Sequence, residues 1–318
     1  MKHPVVIIGA GMAGLACARR LSRAGLSPLV LDKGRGIGGR MATRRVTLDS
    51  GEGLQFDHGA QYVTARDPEF AALLAELETE GAAALWADGS GRSRWAGVPG
   101  MSGLSRALAS GLDVRQSVEV TALRPDGAGW RLETRTGPVE AAAVVLTVPA
   151  PQAAALLGAG HPLAAPLASV RMEPCLTLMA AFPAEASRPF LSEASDTHPL
   201  AWIAQDSSKP GRPGAVTSWV AQAGPDWSAA HLEESPNDLG ARLLPLLAER
   251  LGVDPAQACH VSAHRWRFAR VGTALGAPFL SDGSLWLGGD WSLGARVEAA
   301  WQSGTAIAED FLARGVTE

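Results

Sequence analysis

The chain has 318 residues, 47% of them hydrophobic, with a formal net charge of −4 and an isoelectric point near 6.0. That length can bury a full core and suits two lobes, while the acidic balance argues against a generic nucleic-acid surface. No run approaches the roughly 18 continuous apolar residues of a membrane span, and the opening "MKHPVVIIGAG" lacks a signal peptide's apolar segment and cleavage site, so no membrane association is expected and the expected location is the cytoplasm.

The first element is the β-branched run "PVVIIGAG", which has no polar break, as a strand buried on both faces of a parallel sheet requires. Gly9, Gly11 and Gly14 then supply the GxGxxG spacing. Gly9 permits the tight turn, Gly11 lets backbone approach a pyrophosphate, and Gly14 allows close packing of helix on strand. Ala10, Met12 and Ala13 complete the expected binding turn. A helix through Leu15, Ala16, Ala18 and Leu21 should stop at Gly25, with Cys17 in its core. The strand "SPLVLD" ends in Asp32, 18 residues after Gly14, with Lys33 beside it. An acid there accepts hydrogen bonds from both hydroxyls of an adenosine ribose. Strand, turn, helix, strand and acid in this order point to a dinucleotide rather than to a glycine-rich turn of another α/β fold.

In "LDKGRGIGGRMATRRV", Gly34, Gly36, Gly38 and Gly39 make a bare loop where a plain NAD dehydrogenase would continue into a helix. That difference favours FAD. Arg40 stands where its guanidinium could grip pyrophosphate oxygens bidentately; Arg44 and Arg45 read equally well as a solvated basic surface.

Residues 53–68, "GLQFDHGAQYVTARDP", read as a strand, a turn and a second strand, with Asp57 a loop anchor and His58 structural. Asp67 and Pro68 open an amphipathic helix whose stripe is Phe70, Leu73, Leu74 and Leu77. "DVRQSVEVTALRPDGAGWRLETRTG" reads as a meander turning at Pro-Asp-Gly, and "EAAAVVLTVPAP" as a buried strand. Between about 165 and 265 the composition shifts toward Pro, Ser and Trp. There the helix "NDLGARLLPLLAERLG" should kink at Pro245 or end its first turn there.

"AHRWRFARV" alternates, with His264, Trp266 and Phe268 on one face and Arg265 and Arg267 on the other. The first face lines a cavity or is ordinary core. Arg265, Arg267 and Lys209 are candidates for substrate phosphates or are surface charges. Finally "SLWLGGDWSLGARVEAAWQSGTAIAEDFL" gives a strand, Gly288-Gly289-Asp290 and a helix with Val297, Ala300, Trp301, Gly304, Ile307 and Phe311 as core stripe. Asp290, beside Gly289, suits the ribityl hydroxyls of a flavin. The helix start at Arg296, Val297 and Glu298 should aim free N–H groups at the flavin edge where negative charge grows on reduction. Three widely spaced cysteines and seven histidines without an HxH or HExxH pair speak against a metal.

The segments "DKGRGIGGRMATRR", "FDHGAQYVTARDPEF", "WAGVPGMSGLSRAL" and "LGGDWSLGARVEAAWQSG" are specific, and "TVPAPQAAALL", "WIAQDSSKPGR" and "AHRWRFAR" are softer. Together they resemble the flavin-containing amine oxidase superfamily, and within it the bacterial renalases. The resemblance implies an α/β (α+β) fold of the p-hydroxybenzoate-hydroxylase type: a Rossmann-like FAD-binding domain (1–60, 100–164 and 266–318) and a β-sheet substrate domain (61–99 and 165–265). It adds Met41 to the loop motif, puts Ala60 and Gln61 beside the isoalloxazine and lets Met101 touch it. It brings the Val120 backbone to the adenine and Thr147 near the cofactor. Gln61, His264 and Trp266 become cavity candidates, with no certain catalytic residue. The implied chemistry uses noncovalent FAD, since the final 59 residues hold no cysteine. It oxidises the 2- or 6-dihydro isomers of NAD(P) to β-NAD(P)+ and reduces O2 to hydrogen peroxide, in a monomer or homodimer. The alternatives are an FAD-dependent amine oxidase and a non-catalytic flavin-binding protein. An amine must be held neutral, often in an aromatic cage, and many amine oxidases set a lysine near flavin N5. Here Tyr62 is the single tyrosine and Lys209 the one lysine beyond Lys33.

Overall fold

The computed structural model describes residues 2–212, 214 and 216–315; residues 1, 213, 215 and 316–318 of the expected domain ranges lie outside these. The chain divides into two compact units. One comprises Met1–Gly39, Ser105–Met172 and Val271–Glu318, the other Arg40–Leu104 and Glu173–Arg270.

The first unit is built on an eight-stranded sheet. Its parallel core runs Leu285–Leu287, Val139–Leu146, Lys2–Ile8, Leu29–Leu31 and Asp113–Arg115 in spatial order, with Leu280–Asp282 antiparallel at one edge. Val5–Ile7 and Ala143–Leu146 are wholly inaccessible, which is why these runs carry no polar alternation. Helix Met12–Arg23 packs on the last helix, Val297–Ala313. Gly304 makes this approach possible, because a Cβ there would come 2.0 Å from the Ala13 carbonyl oxygen. Of the expected stripe in the last helix, Gly304, Ile307 and Phe311 are buried, together with Glu298, Ala299, Ser303 and Ala308, while Val297, Ala300 and Trp301 are half-buried on the flank. The hairpin of Val120–Asp126 and Gly129–Thr134 turns at Gly127–Ala128 instead of at Pro-Asp-Gly. Gly127 takes the left-handed φ of +57°, which glycine accepts without a Cβ penalty. Asp113–Arg115 leaves the expected meander and pairs in parallel with Leu29–Leu31.

The second unit holds a five-stranded sheet, ordered Ser192–Ala194, Leu200–Gln205, Val216–Ala223, Arg171–Pro183 and His260–Thr273. Leu176, Leu178, Ala180 and Phe182 pack with Leu239, Leu243, Leu247 and Leu251 of helix Pro236–Leu251. On the other face Met179, Ala181 and Val220 meet Leu54 and Phe56 of the hairpin Thr43–Thr47/Gly53–Asp57. That second packing draws residues 40–60 into this unit, whereas the sequence reading assigned them to the first domain; the divisions fall at 40, 105, 173 and 271. Helix Pro236–Leu251 passes through Pro245 unbroken. Pro245 and Ala241 are both exposed, so the carbonyl deprived of its donor meets water. The second strand expected after residue 60 is reduced to one bridge, Val63 with Trp95. Helix Pro68–Thr79 is capped by Asp67, which accepts from the Glu69 and Phe70 N–H groups, and buries the expected stripe.

Candidate functional site

In the first unit the glycine turn joins strand Lys2–Ile8 to helix Met12–Arg23. Gly9 stands at φ +113°, a conformation costly for any residue with a Cβ. A Cβ at Gly14 would lie 1.9 Å from the Gly9 carbonyl oxygen and 2.7 Å from Thr147 Oγ1. At Gly11 an added Cβ meets nothing within 4 Å, so the space beside that backbone is open. Gly11 is also the helix N-cap. No side chain caps the helix and no acid stands in its first turn, which leaves the positive helix end facing any anion in that space.

Asp32 Oδ2 accepts from the Ala10 N–H and Oδ1 from the Gly34 N–H, each at 2.6 Å. The carboxylate is thereby fixed, with lone pairs left for hydroxyl donors. Gly38 N donates to the Ala10 carbonyl at 2.9 Å, and Gly39, at φ +53°, packs on Gly11. Both polar groups of Ala10 are spent inside the fold and the residue is inaccessible. It orients Asp32 and has no surface for a ligand, contrary to its place in the expected binding set. The Thr147 hydroxyl lies 3.0 Å from the carbonyls of both Ile8 and Gly9, so it braces the turn. Lys33 Nζ reaches Gln152 Oε1 at 3.3 Å. Met12 and Ala13 are buried in the helix start, and Val120 opens its strand beside a register shift.

At the other end of this unit Gly289 N donates to Ser303 Oγ at 2.9 Å. Asp290, buried, accepts from the Trp291 N–H at 2.9 Å. Helix Val297–Ala313 begins from Arg296 in extended conformation with no side-chain cap. Arg296 pairs with the buried Glu298, so the acid in the first turn adds no net charge to the helix end.

In the second unit the polar centre is a group of four buried charges. Lys209 Nζ donates to Asp206 Oδ1 at 2.7 Å, Asp57 Oδ2 at 3.2 Å and Gln61 Oε1 at 3.1 Å. Arg212 Nε donates to Asp206 Oδ2 at 3.1 Å and its Nη2 to Asp57 Oδ2. Asp57 Oδ1 also accepts from Thr43 Oγ1 at 2.8 Å and from the Met101 N–H at 2.9 Å. Burial works to raise the Asp206 pKa, but Lys209 and Arg212 outweigh it and hold the carboxyl below the usual carboxylate range. Lys209 is therefore neither a surface charge nor a ligand for phosphate. Sequence reasoning missed Asp206 and Arg212. Their signal was the spacing of Asp206, Lys209 and Arg212, three residues apart around the turn Asp206–Ser208.

Gln61 is 5% exposed and its amide donates to the carbonyls of Asp57 and Gly59. Both amide hydrogens are spent, so as a cavity residue it offers no donor. Met101 is inaccessible, with its sulfur against the Gly97 N–H, and its side chain has no surface for a flavin. Met41 is likewise buried. Ala60 N donates to the Arg40 carbonyl at 2.8 Å, and Arg40 Nη1 to the Ala269 carbonyl at 3.0 Å.

His58, His264 and Trp266 form one ring cluster, with centroids 4.7 Å, 5.2 Å and 4.4 Å apart. Burial, with His264 and Arg44 nearby, lowers the His58 pKa to about 3; burial and Arg44 lower that of His264 to about 4. Both rings are neutral near pH 7. A second aromatic pair, Tyr62 and Trp202, lies 5.6 Å apart, and the Arg94 guanidinium stands over both rings at 4.2 Å and 4.9 Å. Arg94 is buried against Asp88, and Ser192 Oγ donates to the same carboxylate at 2.7 Å. Neither Arg94 nor Asp88 stood out in the sequence. Arg265 and Arg267 instead pair with Glu233 at the surface. Among the described residues no group of three or more His, Cys, Asp or Glu is placed to hold a metal, and no helix is long and apolar enough to cross a membrane.

A family model described as flavin containing amine oxidoreductase matches residues 82–312, and one described as an NAD(P)-binding Rossmann-like domain matches residues 7–77. An L-amino acid dehydrogenase of Synechocystis sp. is 40% identical over 75 residues, which is 24% of this chain and 15% of that protein. A Mycobacterium tuberculosis protein named as a flavin-containing monoamine oxidase is 40% identical over 73 residues, 23% of this chain and 15% of its own length. The match thus spans less than a sixth of these relatives. Among solved structures, a protein described as a protoporphyrinogen oxidase from Exiguobacterium sp. has a TM-score of 0.79 at 14% identity, covering 99% of both chains. Putrescine oxidase bound to putrescine has a TM-score of 0.64 at 15% identity, covering 99% of this chain and 100% of that one. At such identities the likeness is one of fold. The family is flavin-dependent, and the open face of Gly11, the fixed Asp32 carboxylate and two uncapped helix starts fit FAD.

Proposed function

The chain belongs to the flavin containing amine oxidoreductase family, and from that premise we propose that it is a renalase-like FAD oxidase of misreduced dihydronicotinamide dinucleotides. The cofactor is held noncovalently by the first unit, and the second unit receives the substrate. When bound, FAD supplies a two-electron acceptor: a 2- or 6-dihydro isomer of NAD(P) gives up a hydride, β-NAD(P)+ leaves, and dioxygen is reduced to hydrogen peroxide.

The residues have binding and orienting roles. The helix start at Gly11 would neutralise the diphosphate, Asp32 would take the ribose hydroxyls, and Asp290 the ribityl chain. The start of helix Val297–Ala313 would stabilise charge developing at the ring. No acid or base is required of the protein, because the dihydropyridine becomes aromatic as it gives up its hydride. The neutral His58–His264–Trp266 cluster fits this demand as a wall of uncharged rings.

The observation that carries the choice of substrate is Arg94 over Tyr62 and Trp202. A cationic ligand seeks such an aromatic pair, and here the pair is already covered by the chain's own guanidinium, whose charge Asp88 balances. A dihydronicotinamide ring carries no cation and makes no demand on that pair. The test is oxygen uptake by purified FAD-loaded protein, given 2-dihydro-NAD(P), 6-dihydro-NAD(P) or a panel of primary amines and polyamines. Peroxide formed stoichiometrically with β-NAD(P)+, and no uptake with amines, is expected. Uptake with an amine alone overturns the reading.

A further inference from the structure

We propose that Arg44 and the imidazoles of His58, His260 and His264 form a binding site for a phosphate-type oxyanion. All four residues belong to the second unit, and the site requires nothing from the first. The register of the hairpin Thr43–Thr47/Gly53–Asp57 sets the side on which Arg44 lies. Arg44 stands opposite Phe56 and Val46 opposite Leu54, and directly opposed residues share a face. Phe56, Leu54 and Val46 pack with Met179, Ala181 and Val220. Arg44 thus continues the sheet-facing side of the hairpin one step past its apolar core. It is exposed, and among the described residues no carboxylate pairs with it.

Strand His260–Thr273 brings the imidazoles to the same place. His260 and His264 alternate onto one of its faces. His260 stacks on Phe56 at 5.5 Å, and His264 meets His58 edge-on at 4.7 Å. The charge on Arg44 lowers the pKa of all three imidazoles, so the guanidinium lies within electrostatic reach of each ring. Asp206 is the one carboxylate acting on His58, and Lys209 and Arg212 already hold it. His58 is only 5% exposed, yet its Nδ1 has no hydrogen-bond partner, an unmet demand that a ligand would relieve. Ser262 Oγ, 2.9 Å from His260 Nε2, adds a hydroxyl on the same face.

This donor set selects the ligand class. A guanidinium takes two oxygens bidentately and stays charged. A planar carboxylate would be used up by that grip. A tetrahedral phosphate keeps further oxygens for imidazole N–H groups, which a neutral ring still supplies. Such an anion also favours the imidazolium forms, so binding raises the pKa values that Arg44 lowers. Free orthophosphate and the phosphate of a sugar or nucleotide present the same oxygens to the site.

Proton–carbon NMR of the full chain with labelled histidines follows each ring, assigned by single His→Gln substitutions. Sulfate is the first probe, because its two charges do not change across the range in which imidazoles titrate. Saturating sulfate should move the His260 and His264 signals and raise the His264 pKa, about 4 without it, by about one unit or more. Chloride at equal ionic strength should do neither. Arg44→Gln removes an exposed side chain that holds no ion pair, so folding is preserved. It should abolish the sulfate response and by itself raise the His264 pKa. Arg45→Gln removes the same charge from the other face of the hairpin and should leave the sulfate Kd within about twofold. Inorganic phosphate and ribose 5-phosphate, titrated at neutral pH, separate the sources. Tighter binding of ribose 5-phosphate supports a phosphate ester as the ligand, and tighter binding of phosphate supports the free ion. Sulfate that acts no differently from chloride overturns the proposal. So does a response that survives in Arg44→Gln, or one that Arg44→Gln and Arg45→Gln weaken equally.

Discussion

Replacing His58 with Asn should erase a pH dependence of stability that the buried ring creates. Burial, His264 and Arg44 bring its pKa to about 3, against 6.5 in the unfolded chain. A folded pKa below the unfolded one means that, as pH falls, the unfolded chain takes up the proton first. The stabilisation from this ring is therefore complete above pH 6.5 and is lost as pH falls toward about 3. At pH 4 the unfolded imidazole is protonated and the folded one is not, so integrating the linkage from pH 7 to pH 4 gives a loss of about 3 kcal/mol. His264, more exposed, adds a smaller term of the same sign. Carboxylates such as Asp206 lose their stabilisation in acid in both proteins, so the difference between the proteins is the quantity to read. Urea unfolding of wild type and His58→Asn at intervals from pH 7 to pH 4 supplies it. The wild-type advantage should shrink by about 3 kcal/mol across that range. A difference independent of pH would show that the imidazole is not held neutral, and the uncharged wall would go with it.

Gly11→Ala should fold with near-wild-type thermal stability yet retain little FAD, because the added methyl meets only open space in the chain itself; the FAD-to-protein ratio after gel filtration checks this. Gly14→Ala should lose both stability and FAD, since its Cβ would sit 1.9 Å from the Gly9 carbonyl oxygen. Gly304→Ala must push the two helices of the first unit apart, at a cost of about 1–3 kcal/mol in denaturant unfolding. Asp32→Asn trades an acceptor oxygen for a donor facing a backbone N–H, and should weaken FAD binding at least about tenfold with roughly 1–3 kcal/mol of stability lost; titration of apo-protein with FAD reads the first and thermal melts the second.

The dinucleotide turn was legible because its chemistry is local: the spacing of Gly9, Gly11 and Gly14 and the acid at Asp32 lie within one strand-helix-strand unit. The capped helix Pro68–Thr79 was legible for the same reason. What escaped was set by distant partners. Lys209 looked like a surface lysine because its counter-ions include Asp57, 152 residues away. Met101 and Ala10 stood in plausible motif positions, but burial had already consumed their surfaces. Arg94 gave no sign at all, since a guanidinium between Tyr62 and Trp202 appears only once three separate segments meet. Residues 40–60 moved to the second unit because Leu54 and Phe56 pack on Met179 and Ala181, a pairing no local pattern announces.

Direct transfer from a dihydronicotinamide to bound FAD can be watched in a single turnover without oxygen. Purified yellow protein mixed anaerobically with one equivalent of 2-dihydro-NAD(P) should lose its visible flavin band within seconds and release one equivalent of β-NAD(P)+. A band that persists against both dihydro isomers, yet bleaches with an amine, would contradict the account.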